Sequence, residues 1–434
     1  MSFKNTLFYS NSKEFLYDFA GIELSSDGGL FLLEKLEKNN GIIKSFASVL
    51  SEKRQQGKMQ YSFYHLLKQR VFALVMGYED CNDVARLDGD VAFEQTCGKL
   101  ASQPTLSRFE NRIDVRDIFN LCSRFIDRYV KSLSFSRKRI IIDVDATNDP
   151  THGNQQLSLY NGYYGHTSYT ELLFHDGETG QLILPILRPG NAHSNKWFVY
   201  CLDQIVKRIK NKYPHIEIIL RGDTGYAGAK FFSYAKKHGI KFCTGLGRNK
   251  RLERITETSE KFVENQYINN GEKHKLFLGP FEYKADSWEE SLPCYAKIES
   301  TGHNLLVRCY VSNLEDFDAQ ELYQGFYCKR GDTSENRIKE LKNMCFADRL
   351  SCHRFIPNFF RLIMSALCYE ILRTIREMIK AAGFDKQAKW QAHNIRVLLL
   401  KIGVQVKKTK KRIYIHFAEH YLNQDIFRSL IAQC

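Results

Sequence analysis

The spacing of apolar residues changes rhythm near residue 139. Before it, apolar positions recur at helical spacing in "GGLFLLEKLEKNNG" and more densely in "YSFYHLLKQRVFALVMGYED". "CNDVARLDGDVAFEQT" reads as short helices joined by a turn. In "ASQPTLSRFENRIDVRDIFNLCSRFIDRYV", Ser102 and Pro104 suit a helix start. A mostly helical region over 1–135 follows. Thr105, Ser107, Arg108 and Asn111 have side chains suited to DNA, so this region is read as a DNA-binding domain; an ordinary helical bundle fits the same pattern.

From Arg139 the period shortens. "RIIIDVDAT" is a buried strand, and "YTELLFHDGETGQLILPILRPG" is two apolar runs around a turn, a hairpin signal. "SNKWFVYCLDQIVKRIKNKYP" is an amphipathic helix, "IEIILRGDTGYAG" a strand entering a glycine turn, "AKFFSYAKKHG" a helix closed by Gly239, and "IKFCTGLG" a fifth strand. This is the element order of a ribonuclease-H-like α/β fold: a mixed sheet, its first three strands antiparallel neighbours and the later two joined by helical crossovers. On this reading 136–249 is the first part of the core and 250–314 a β-rich insertion. Residues 315–385 return to the core with "DAQELYQGFYCKR", "TSENRIKELKN" and a long apolar helix "FIPNFFRLIMSALCYEILRTIREMI" expected deep against the sheet. Residues 386–434 form a basic C-terminal region for DNA contact or dimerisation, with a hairpin around Lys407, Lys408, Lys410, Lys411 and Arg412.

Charge then narrows the partner. Lys and Arg number 63 against 49 Asp and Glu, a formal +14, and the pI is about 9.1, which favours a polyanion such as nucleic acid. The 12 cysteines include no C-x-x-C pair, which argues against a zinc ribbon. The first residues lack the apolar core of a signal peptide, and no apolar run has the length of a membrane span. A reduced, cytoplasmic protein is expected. Neither a G-x-S-x-G hydrolase elbow nor a Walker A loop occurs.

The candidate chemistry lies in carboxylates. Asp145 falls at the end of the first core strand and Asp223 at the end of the fourth, in "LRGDTGY". Neighbouring strands would set them side by side, where two buried carboxylates repel unless they share a cation. Oxygen donors suit Mg²⁺, with Mn²⁺ as a substitute. Glu335 is the third candidate, with Lys339 and Lys342 on its helix face for phosphate contact. The competing structural reading makes Asp332–Glu335 a capping box at a helix start. Asp143 shares a strand face with Asp145 and is a possible further ligand.

Three stretches, "DVDATNDPTHGNQQLSLYNGYYGHTSY", "LPILRPGNAHSN" and "LRGDTGYA", together resemble the bacterial insertion-sequence transposases of the DDE type. That resemblance implies a ribonuclease-H-like core with a β insertion before the last acidic residue, and a catalytic triad of Asp145, Asp223 and Glu335. It also implies a Y-x2-R-x3-E-x6-K signature, met in type by Tyr327, Arg330, Glu335 and Lys342, although one extra residue separates Arg330 from Glu335 here. The implied activity is cut-and-paste transposition by two-metal chemistry, with DNA held by Tyr327, Arg330, Lys339 and Lys342, and by Arg108, Lys410, Lys411 and Arg412 further off. Terminal inverted repeats and target DNA are the implied partners, with a homodimer acting on two ends. The alternatives are a transposase-derived DNA-binding protein without catalysis and a nuclease that cuts but does not join.

Overall fold

The computed structural model describes residues 5–10, 13–17, 23–271, 273–300 and 304–434. Residues 1–4, 11–12, 18–22, 272 and 301–303, which fall in the expected helical region and in the expected insertion, lie outside the described residues. The N-terminal region departs first from expectation. Asn5–Ser10 (β1) and Lys13–Tyr17 (β2) pair as an antiparallel hairpin, and Leu24–Ser25 is a short strand (β3). These runs are too short for a stable helix and carry the aromatic residues that strands favour. The expected helices follow: Leu30–Asn40, Ile42–Ala47, Phe63–Met76, Val91–Cys97, Gln103–Arg112 and Val115–Ser132.

The core strands are Arg139–Pro150 (β4), Leu159–Asn161 (β5), His166–Asp176 (β6), Leu182–Arg188 (β7), Glu217–Gly222 (β8) and Lys241–Leu246 (β9). β4, β6 and β7 form an antiparallel meander, while β8 lies parallel to β4 and β9 parallel to β8. The crossovers are the helices Phe198–Lys212 and Ala229–His238. This is the ribonuclease-H-like arrangement, a mixed sheet flanked by helices.

The insertion differs from a purely β block. It opens with a 21-residue helix, Lys250–Asn270, whose N-terminus is capped by the Asn249 side chain accepting from the amides of Arg251 and Leu252. Its polar run is one face of an amphipathic helix that buries Leu252, Thr256 and Val263. Lys275–Tyr283 (β10), Leu292–Ser300 (β11) and Leu305–Ser312 (β12) then extend the core sheet itself, with β12 antiparallel to β9. The nine strands form one sheet.

Alternation along β4 gives the sheet its two faces. Ile140, Ile142 and Val144 enter an apolar core with Ile126, Leu202, Ile205 and Phe231 from three helices. Ile141 faces the other way, into a second core with Tyr310, Leu322, Tyr323 and Phe326. The same side of β4 carries Asp143, Asp145 and Asp149.

The helix Phe355–Ala381 is, among the described residues, long and apolar enough to cross a membrane by length and composition, contrary to the expectation that no such run exists. In the structure 89% of that apolar window is buried within the protein, as in a core helix. Its first turn meets β6: the Phe355 and Tyr169 rings lie 5.7 Å apart. Val404–Lys408 (β13) and Ile413–Phe417 (β14) form the expected basic hairpin, and β13 also pairs with β3.

The chain divides into two compact units. One comprises 1–48, 52–109 and 367–434, and holds the β3–β13–β14 sheet. The other comprises 49–51 and 110–366, and holds the nine-stranded sheet.

Candidate active site

β4 does not end at Asp145; it continues to Pro150. What ends there is its parallel neighbour. The last β4–β8 pairing joins Val144 to Gly222. Asp145 and Asp223 are the next residues in register, on strands about 4.8 Å apart. β8 leaves the sheet at Asp223 in a tight turn, Thr224–Tyr226, in which Asp223 Oδ1 accepts from the Gly225 amide at 2.8 Å. The sheet therefore opens beside the two carboxylates. Gly225 allows a second loop to approach: a Cβ there would lie 2.6 Å from Ser194 Cβ.

Asp143 is not at this opening. Both of its oxygens are taken by Arg221 of β8, Nε to Oδ1 at 2.6 Å and Nη2 to Oδ2 at 2.8 Å. Arg221 also donates to the Phe326 carbonyl at 2.6 Å. Both side chains are buried. A fork-to-fork pair of this kind satisfies the carboxylate, so both Asp143 oxygens are engaged within the fold.

Asp145 has the opposite environment. Its Oδ2 accepts from Arg330 Nη1 at 2.8 Å and its Oδ1 from the Ala146 amide at 2.9 Å. Burial nevertheless pushes its pKa up to about 6; Arg330 opposes the rise, and the negative charges of Asp223 and then Glu335 add to it. Asp145 thus senses both of its expected partners.

The helical stretch 319–345 brings Glu335 and Arg330 to the sheet, with a single turn residue at Cys328. The backbone is already helical at Gly331–Glu335, and Glu335 itself sits at φ −62°, ψ −41°, so no helix begins at Asp332; the Asp332 side chain lies outside what the structure describes. Gly331–Glu335 is π-helical. This accounts for the extra residue between Arg330 and Glu335. In an α-helix residues four apart lie about 40° apart around the axis and residues five apart about 140°. A π turn closes after one residue more, so the five-residue step stays on one side of the helix. Such turns are common at functional sites. Tyr327 completes the group: its ring lies 6.0 Å from the Arg330 guanidinium carbon, and its hydroxyl would be 2.7 Å from a Cβ on Gly245, at the end of β9. Burial, with Asp223 among the minor causes, pushes the Tyr327 hydroxyl up to about 12.

The other expected DNA contacts are not gathered here. Lys342 is mostly buried and pairs with Asp149 at 2.9 Å, while Lys339 is exposed. Arg108, Lys410, Lys411 and Arg412 are exposed and belong to the first compact unit.

Several residues that matter at this site were not singled out from sequence. Arg188 is fully buried, and its Nη1 donates to the carbonyls of His193, Ser194 and Lys196. It fixes the loop that meets Gly225, which explains the "LRPGNAHSN" run. Tyr163 is 89% exposed and meets Tyr164 edge-on at 4.9 Å. Tyr164 in turn feels Asp145 and Asp223, although burial is the main cause raising its pKa. His175, paired in register with Asp143, is held neutral: burial, with Arg337 adding, pulls its pKa down to about 3. The repeated aromatics of "LYNGYYGH" were the available signal for Tyr163 and Tyr164.

Among the described residues no three His, Cys, Asp or Glu side chains are close enough together to enclose a metal ion. The donor chemistry still fits a hard divalent cation. Asp145, Asp223 and Glu335 supply only carboxylate oxygens; burial first, then the charges of Asp223 and Glu335, raise the Asp145 pKa, and a cation would relieve all three.

A family model described as "Transposase DDE domain group 1" matches residues 9–434. The chain belongs to this DDE transposase family. No curated protein sequence matches it. Among solved structures it is similar to the Drosophila P element transposase strand transfer complex, at 12% identity, a TM-score of 0.26, and coverage of 54% of this chain. The match spans about half, 53%, of that transposase chain.

Proposed function

We propose that this protein cuts DNA at the ends of an insertion sequence and joins the freed 3′ hydroxyl to a target phosphodiester. The observation that carries this reading is the register of Asp145 beside Asp223 where β8 leaves the sheet, with Arg330, from the helical stretch that also bears Glu335, donating to Asp145 at 2.8 Å. Family membership supports it. Asp145, Asp223 and Glu335 would hold divalent ions, Mg²⁺ or Mn²⁺, which when bound supply Lewis-acid activation of nucleophile and leaving oxygen.

The chain's own groups do the rest. Arg330 brings a fixed positive charge to the site and Tyr327 orients it by ring contact, an arrangement suited to a phosphodiester oxygen. Lys339 is free to meet the DNA backbone. The exposed ring of Tyr163 offers a stacking surface for a base displaced near the cut. The basic hairpin turn at Lys410, Lys411 and Arg412 adds sequence-independent attraction. Work on two ends calls for two copies of the chain, in a reducing cytoplasm that keeps its twelve free cysteines unpaired.

The test is cleavage of a labelled duplex bearing the element's own terminal sequence, with Mg²⁺ and with EDTA. Wild type should nick at the repeat boundary only with metal. Glu335→Gln and Asp223→Asn should bind the duplex and leave it intact. Binding by wild type without cleavage in any divalent metal would replace this reading by a non-catalytic DNA-binding role; cleavage without joining would leave a nuclease.

A further inference from the structure

Lys342 stands where the family resemblance expects a DNA contact, but its surroundings are those of an interior group. Its ammonium lies 2.9 Å from Asp149 Oδ1, as an ion pair between side chains 17% and 0% exposed. Its hydrogens go to the Thr147 hydroxyl at 3.2 Å and to the Asn148 carbonyl. All three partners lie on β4, just beyond Asp145. Register sets Thr147 opposite Glu171 of β6, so Thr147, Asp149 and Glu171 share one face of the sheet.

Asp149 and Glu171 are both fully buried. Apart from the Lys342 ammonium at Asp149 Oδ1, the oxygens of these two adjoining carboxyl groups have no hydrogen-bond partner among the described residues. Burial first, and Asp149 next, raise the Glu171 pKa well above the usual range. Lys342 supplies the matching positive charge. Burial works against that charge, but Asp149 and Glu171 outweigh it.

We propose that Lys342 is a positioning residue: with Asp149 and Glu171 it forms a buried lock that fastens the Glu335 helix to the strand bearing Asp145. This deepens the transposase reading and rests on it for its catalytic consequence. The geometry is a two-point attachment. Arg330 holds Asp145 at one end of the segment and Lys342 holds Asp149 at the other. Twelve helical residues span about 18 Å, and four strand residues about 13 Å. The difference is within reach of two long side chains. Glu335 lies between the two fastenings, so slack at Lys342 becomes slack at Glu335.

The test separates lock from phosphate contact by salt. Binding of the element's terminal duplex is measured over a range of salt for wild type, Lys342→Met, Lys342→Arg and Lys339→Met, with single-turnover cleavage at saturating DNA. A phosphate contact would take about 0.9 from the slope of log K against log salt. The lock predicts an unchanged slope for Lys342→Met and a cleavage rate lower by about a hundredfold, the scale of a misplacement near 1 Å. Lys342→Arg, which keeps the cation, should recover part of that rate, and Lys339→Met should show the slope change. A reduced slope for Lys342→Met with normal cleavage at saturation would overturn the proposal. If wild type neither binds nor cuts, the transposase reading fails, and the lock is judged by urea unfolding. Lys342→Met should then lower the midpoint and Asp149→Asn/Lys342→Met should restore part of it; no restoration would refute the lock.

Discussion

Asp145→Asn should make the protein more stable near neutral pH when divalent ions are chelated. The folded state holds Asp145 at a pKa of about 6, against an ordinary 3.8. The unfolded chain therefore loses this proton near pH 4 and the folded chain near pH 6. Between those values the native state binds more protons than the unfolded one, so stability falls as pH rises and is level above the folded pKa. A gap of about 2 pH units, at about 1.36 kcal/mol each, gives a cost of about 3 kcal/mol at pH 7 and above. The attraction of Arg330 is already contained in that pKa. Asparagine mimics the neutral form, so the variant escapes the cost. Urea unfolding in EDTA at about pH 4.5 and about pH 7.5 measures it. The variant and wild type should be within about 1 kcal/mol at the lower pH, with the variant more stable by about 1–3 kcal/mol at the higher one. A variant less stable at both pH values, or a difference that does not grow with pH, would show that Asp145 is not an electrostatically frustrated group.

Asp143 should behave oppositely. Asp143→Ala strands the buried Arg221, and loss of one partner of such a pair costs about 3–5 kcal/mol in urea unfolding; a cost under 1 kcal/mol would contradict the bidentate pairing. Tyr163→Ala should weaken binding of a single-stranded oligonucleotide by about 1–3 kcal/mol if one base stacks there, with no change in unfolding midpoint. Neutralising Lys410, Lys411 and Arg412 together should lower the salt slope of duplex binding by about 0.9 for each phosphate lost, again at constant stability. Unchanged slopes would assign the hairpin turn to solvent.

Much of the fold could be read because its signals are local. "RIIIDVDAT", the hairpin turn at Asp176–Gly180 and the helix "SNKWFVYCLDQIVKRIKNKYP" each announce period and boundary in a few residues, and their order prescribes the sheet. The helix Lys250–Asn270 was missed because its buried stripe is thin, only Leu252, Thr256 and Val263 among many charges. The N-terminal strands were missed because five-residue apolar runs have no period to count. In the site, the placing of Asp145 beside Asp223 was legible, because strand order alone sets β4 next to β8. The π turn at Gly331–Glu335 was not, since nothing in "GDTSE" distinguishes an i→i+5 ring from an i→i+4 one. The burial of Lys342 was hidden for another reason: Glu171 and Asp149 are far apart in sequence, and only the β4–β6 register sets them on one face.

One strand face carries three aspartates, and each meets a cation. Asp143 has Arg221 on both oxygens. Asp149 has Lys342, beside a carboxyl group whose own pKa burial raises. Asp145 has Arg330 on one oxygen and two further carboxylates acting against it. The first two balances close within the fold, and so they hold it together. The third does not close: burial and repulsion exceed the single guanidinium. A protein that keeps such an imbalance on an otherwise satisfied face holds a group whose charge is completed from outside, and the opening of the sheet at Gly222 is where that completion can reach it. That is why the strand introduced by three isoleucines can bury its aspartates, and why Asp145 is the one proposed for chemistry.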